Sequence, residues 1–156
     1  MAFISADCLV CERVLQETDS VFTIIRVVNL FTLTPFPGIP IESLPASLCF
    51  FANVQFSSDD ESKHTISLIV IRPSGDENEK PALTDQQIPV GKIPEMPRSV
   101  ALIARMSVAA KELGIHQIVL KVDGREVART QFFLALAKSA ETPPQDLPDK
   151  RSPTVQ

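Results

Sequence analysis

The amino-acid sequence predicts an all-β fold: an antiparallel β-sandwich of immunoglobulin-like type, with seven or eight strands and a disordered C-terminal tail. Three observations carry this expectation. Apolar runs rich in Val, Ile and Phe recur between clusters of turn residues, which is the pattern of strands. An Asp123-Gly124 pair stands between two alternating runs, a strong hairpin signal because both central residues of such a turn need positive φ. No long segment reads as a helix alone, so short strands with regularly spaced turns point to two packed sheets. A small closed β-barrel is the alternative.

The elements follow in order. Residues 2–15 form a first apolar run and Val21 to Leu33 a second, joined by Glu17-Thr18-Asp19-Ser20. Both alternating sets of the second run are apolar, so either both faces are covered or the strand bends from one sheet into another. Ala46 to Phe56 alternates more cleanly: Leu48, Phe50, Ala52, Val54 and Phe56 mark a core face, and Ser47, Asn53 and Gln55 a wetter one. Thr65 to Arg72 follows a polar link. Residues 73–98 hold five Pro and two Gly, leaving room for one short edge strand near Ile88. Ser99 to Leu113 fits both a strand and a helix face; a strand to about Val108, then a helical turn closed by Gly114, is expected. Gln117 to Val122 and Glu126 to Leu136 flank the Asp-Gly turn.

The chain has 156 residues, a length that favours one domain over residues 1–137. Residues 138–156 contain Pro143, Pro144, Pro148 and Pro153 with only Leu147 and Val155 as large aliphatics. They cannot bury enough surface to offset their ordering entropy, and a flexible Pro-rich tail is expected. Net charge is −4, which argues against general affinity for nucleic acid or anionic membrane. Nine Phe with no Trp or Tyr weaken the case for a surface that stacks bases or sugars. The N-terminal stretch lacks basic residues and Asp7 interrupts it, no run is long enough to span a bilayer, and Cys8, Cys11 and Cys49 make an odd set of thiols expected to stay reduced. A cytoplasmic protein is expected.

Ala6-Asp7 followed by Val10 and Val14, an Asp-Ser turn leading to Phe22-Thr23-Ile24-Ile25, His64 before Ser67-Leu68-Ile69-Val70, Pro73-Ser74-Gly75, and Gly114 with Val122-Asp123-Gly124 together resemble a bacterial family of small all-β proteins. That family is known only as a domain of unknown function. The resemblance covers residues 2–137, implies the sandwich and a strand near 99–108, and implies no activity. Where the family often has Gly-Tyr before the last hairpin, this chain has Gly114-Ile115-His116.

No catalytic residue and no cofactor is nominated. Cys8-x-x-Cys11 in a strand places its side chains on opposite faces about 10 Å apart, too far for joint metal ligation. Buried, small apolar cysteines are expected, and Cys49, on the less apolar alternation of its strand, is the one that could be an accessible thiol. His64 and His116 read as surface or cross-strand histidines, and Asp7, Glu12 and Arg26 must be paired if buried. Were the strands to alternate strictly up and down, Asp19, Asp59, Asp60, Glu61 and Asp123 would gather at one end as weak calcium candidates, although no loop has a calcium-binding spacing. The opposite end would carry Thr34 to Pro45, a Pro-stiffened link containing Phe36, Ile39, Ile41 and Leu44. Those four either plug the sandwich or dock a protein partner. The expected role is a non-catalytic module for protein interaction or assembly, with self-association through edge strands as one route. A carrier of a small apolar ligand, a calcium-binding domain and a hydrolytic domain are the alternatives.

Overall fold

A computed structural model describes residues 3–18, 21–57, 63–77, 83–89 and 98–137. Nine strands are formed among them: β1 (Phe3–Gln16), β2 (Phe22–Val27), β3 (Leu30–Leu33), β4 (Pro45–Phe56), β5 (Lys63–Ile71), β6 (Leu83–Pro89), β7 (Arg98–Ala109), β8 (Gly114–Val122) and β9 (Arg125–Leu136). They make two sheets, ordered β2-β1-β4-β7 and β3-β9-β8-β5-β6. Both sheets keep free edges, so the architecture is a sandwich and the barrel alternative is excluded.

The core between the sheets is built by parity. Leu48, Phe50, Ala52, Val54 and Phe56 of β4 all face inward and are buried, as the alternation predicts. They meet Ile66, Leu68 and Val70 of β5, Ile118 and Leu120 of β8, and Phe132 and Leu134 of β9. The odd positions of β4 are drier than expected. Phe51 and Cys49 join Cys11, Val14, Phe22 and Ile24 in a second apolar cluster on the outer face of the four-stranded sheet.

The strand count exceeds the expectation because residues 21–33 make two strands. β2 pairs with β1, with Phe22 against Gln16 and Val27 against Cys11. Arg26 then takes φ 49°, Val28 donates to the Val10 carbonyl at 3.0 Å, and the chain crosses to the other sheet. There β3 lies parallel to β9, Leu30 against Phe133 and Leu33 against Leu136. The ladder is therefore not wholly antiparallel. The crossing also reverses chain direction, which moves the loops. The end of β1 and the start of β2 lie at the same end as loop 34–44, whereas Asp123-Gly124 lies at the other end, beside the starts of β5 and β7.

β7 is a strand along its whole length, paired with β4 without a register break from Phe56–Arg98 to Pro45–Ala109. A bend, not the expected helical turn, follows it. Gly114 at φ 119° opens β8, a conformation that side-chain-bearing residues avoid. β6, near Ile88, closes the edge of the five-stranded sheet as expected. Asp123 and Gly124 have φ of 49° and 75°, the doubly positive turn that the Asp-Gly pair predicts. The tail 138–156 lies outside the described residues.

Inward parity makes a sharp contrast between neighbours. Phe132 is 1% exposed and Phe133 42% exposed. Phe132→Ala is expected to cost about 3–5 kcal/mol, and Phe133→Ala no more than about 1 kcal/mol. Urea unfolding of both variants checks this.

Candidate functional site

Loop 34–44 divides its four nominated residues into two pairs. Leu44 is 9% exposed and belongs to the core, and Ile41 packs against that core from a short 3-10 turn, Ile41–Ser43. The turn is held by Ser43 N–H donating to the Pro40 carbonyl at 3.0 Å and Leu44 N–H to the Ile41 carbonyl at 2.9 Å. Ala110 N–H donates to the Leu44 carbonyl, also at 3.0 Å, stitching the loop to the end of β7. These two residues are the plug. Phe36 and Ile39 face solvent instead, at 57% and 48% exposure. Ile39 N–H donates to the Phe36 carbonyl at 3.2 Å across Gly38, whose φ of 80° closes the bend. Pro35, Pro37 and Pro40 restrict the backbone around both side chains. The loop thus holds two large apolar groups in water on a stiff, anchored frame.

At the opposite end the structure brings together residues that sequence reasoning treated separately. His64 is buried at 7% exposure, its ring stacked on Phe56 with centroids 4.4 Å apart. Its Nδ1 lies 2.7 Å from Asp123 Oδ2, and Asp123 Oδ1 accepts Thr65 N–H at 2.9 Å. Asp123 N–H in turn donates to the Thr65 carbonyl at 2.8 Å. One carboxylate therefore ties the β8–β9 turn to the start of β5. Arg98 is 3% exposed and sits opposite Phe56 in the β4–β7 ladder; its Nε has no hydrogen-bond partner among the described residues.

Asp123 is the one calcium candidate among the described residues, and its two oxygens are engaged as above. Asp19, Asp59, Asp60 and Glu61 lie outside them. Glu17 accepts a hydrogen bond from Thr23 at the far end of the sandwich, because the crossing at Arg26 reverses the chain. No group of three or more His, Cys, Asp or Glu side chains gathers among the described residues.

Both histidines are interior, not surface groups. His116 is fully buried and stacks on Phe132 at 5.1 Å. Its Nδ1 donates to the Gly114 carbonyl at 3.2 Å; a carbonyl only accepts, so Nδ1 carries the proton. Burial pushes its pKa below the ordinary value, outweighing the opposite pull of the Gly114 carbonyl and Glu112. The signal for both was parity: His64 aligns with Ile66, Leu68 and Val70, and His116 with Ile118, Leu120 and Val122. The thiols are quiet. Cys8 faces the core and Cys11 the outer cluster, on opposite faces as expected. Cys49 is 2% exposed, so the accessible-thiol expectation fails. Burial and the adjacent Cys49 push the Cys11 thiol up to about 11, and burial also raises Cys8, leaving little thiolate for chemistry. The ion pair of Arg26 with Glu12, at 3.2 Å, lies on the surface, where it stabilises little.

A further open feature is an apolar cleft of about 510 Å³ beside the sheet crossing, lined by Leu9, Val10, Val27, Val28, Phe132 and Phe133 among others. Across β3, β9 and β8 the row Leu30, Phe133 and Ile115 is exposed next to it.

The model of a family of unknown function, DUF6941, matches residues 7–135. The chain belongs to that family. The match spans both sheets and includes the loop 34–44 and the His64–Asp123 contact. A search of curated proteins finds no match. Among solved structures, an immunoglobulin-like protein from Pseudomonas aeruginosa is similar at 13% identity and a TM-score of 0.37, covering 83% of this chain and 94% of that one. The Pseudomonas fluorescens alkylpurine DNA glycosylase AlkC, bound to DNA containing an abasic site analog, is similar at 12% identity and a TM-score of 0.39. That match covers 56% of this chain, which spans about a quarter (25%) of the glycosylase chain.

The depressed pKa of His116 has a consequence for stability. The unfolded chain takes up this proton near pH 6.5, while the folded chain resists it to lower pH. Stability is therefore complete above that value and falls as pH drops from it toward the folded pKa. His116→Phe keeps the stack on Phe132 and removes the titration. Its unfolding free energy in urea should lose less than the wild type's between pH 7 and pH 5.

Proposed function

We propose that this sandwich is a non-catalytic cytoplasmic module that binds a protein partner through the exposed half of loop 34–44. The supporting observation is the division within the loop. Ile41 and Leu44 anchor it in the core, while Phe36 and Ile39 stand 57% and 48% exposed on a proline-restricted frame. A segment held this way loses little conformational entropy on binding, so its apolar contacts go into affinity. Aromatic side chains on such frames are frequent anchors in partner pockets. The complement is an apolar recess in the partner; Glu42 is the loop's one charged residue. Three thiols outside any disulfide suit a reducing compartment, and no helix among the described residues is long and apolar enough to cross a membrane.

A second reading rests on the cleft at the sheet crossing, whose volume of about 510 Å³ falls in the usual range for small-molecule sites. There the chain would carry a small apolar ligand. Native mass spectrometry of the purified chain separates the two: a stoichiometric co-purified apolar mass favours the carrier, a bare chain the docking module.

The docking reading is tested by Phe36→Ser with Ile39→Ser, using Val27→Ser, exposed elsewhere, as the control. The double variant should keep a wild-type melting temperature within a few degrees and lose a partner that Val27→Ser still captures in quantitative affinity purification. Equal capture by all three proteins, or a melting temperature lowered by about 10 °C or more, would refute docking by this loop.

A further inference from the structure

Four strands end the two sheets, and three of them have features that discourage further pairing. β3 is four residues long. β2 is six residues long and ends at Arg26–Val27, where positive φ turns the chain out of the sheet. β6 carries a register irregularity against β5 and ends on Pro89. Short edges, irregularities and prolines are the usual devices that keep sheet edges from joining other chains.

The fourth edge has none of these three, and its charges are Arg98, buried at its first position, and Arg105 on its outward row. β7 runs 12 residues in unbroken register with β4, contains no proline or lysine, and has no strand on its other side among the described residues. Its inward row is also unfinished. Val100, Leu102 and Ala104 pack against the core but stay only partly buried, whereas their partners in β4, Val54, Ala52 and Phe50, are fully buried. On the outward row, Ile103 is 36% exposed, opposite Phe51.

We propose that β7 is a self-association edge that pairs antiparallel with β7 of a second copy of this chain, about a two-fold axis at Ile103. This surface is distinct from loop 34–44 and does not depend on the docking reading. The sequence of β7 is complementary to itself in this register. A two-fold axis perpendicular to the sheet keeps inward residues opposite inward ones. With the axis at Ile103, each Leu102 meets Ala104 of the second copy and each Val100 meets Met106, completing the half-buried row. Outward, the two Ile103 side chains meet, and each Arg105 faces Ala101 of the second copy. Moving the axis to Arg105 would set two guanidinium groups against each other, which a sheet disfavours. The result is a continuous eight-stranded sheet made from two four-stranded ones.

Sedimentation equilibrium of the full chain at micromolar concentration tests this. The wild type should sediment at twice 17.1 kDa. Ile103→Lys places like charges on the axis and removes two apolar contacts, so dimerisation should weaken by at least about tenfold while the circular dichroism spectrum stays that of a β protein. Ile103→Glu should behave the same way alone. An equimolar mixture of the two variants should associate more tightly than either by itself, because opposite charges then face each other. The variant with Phe36→Ser and Ile39→Ser should dimerise like the wild type. A wild type that remains at 17.1 kDa, a dimer unaffected by Ile103→Lys, or a mixture no tighter than its components would each overturn the proposal.

Discussion

At Arg26 the backbone takes φ 49°, leaves the four-stranded sheet and reappears four residues later as β3, parallel to β9 in the five-stranded one. Most of the molecule's functional geography depends on this crossing. It joins the sheets covalently along one side, and it reverses the chain, so that loop 34–44 emerges at the end where β1 finishes and β2 begins. A non-glycine residue in this conformation carries strain and persists only where its surroundings over-determine it. Here the β1–β2 ladder on one side, the Val28–Val10 backbone bond, and Phe133 N–H donating to the Asn29 carbonyl at 2.7 Å on the other fix the passage from both ends.

The two ends of the sandwich then serve different purposes. One is closed by polar contacts drawn inward: Asp123 binds both the buried His64 ring and the Thr65 amide, and Phe56 lies under that ring. A carboxylate that accepts an amide and an imidazole at once ties this exposed turn to the buried His64. The other end is closed by the apolar pair Ile41 and Leu44, which leaves Phe36 and Ile39 outside. Rigidity at one end and a displayed apolar loop at the other are the features on which the proposed contact-presenting role rests.

Much of the fold was legible in the sequence because strands have a period of two. The buried set of β4 and the Asp123-Gly124 turn were read directly from alternation and turn chemistry. The histidines were half read: His116 faces Phe132 across the β8–β9 ladder, as the cross-strand reading expects, but the surface alternative fails because a residue type usually found outside was allowed to outweigh its position in an apolar series. The run 21–33 was legible in part: a bend from one sheet into the other was one of its two expected readings, and β2 and β3 bear it out. Two consecutive short strands in different sheets present apolar residues on both parities, just as one doubly buried strand would, so alternation alone could not decide between the two readings. The site was half legible. Four apolar residues on a stiff link could be seen, but which pair turns inward depends on the 3-10 turn at Ile41–Ser43 and its tie to Ala110, a contact 66 residues away in the chain (110 − 44). Cys49 was placed on a wet face because the outer cluster around Phe22 and Phe51 comes from three separate strands.

The displayed loop lies at the end of the sandwich away from the Asp123 turn, and paired spin labels measure that most directly. β9 runs between the two ends for 12 residues, a length of about 35 Å at ~3.3 Å per residue. Labels at Ile39 and Arg125 should report a separation on the order of 35 Å, and labels at Ile39 and Thr18 a clearly shorter one. The reverse order would mean that the chain does not turn back at Arg26, and the account would be wrong.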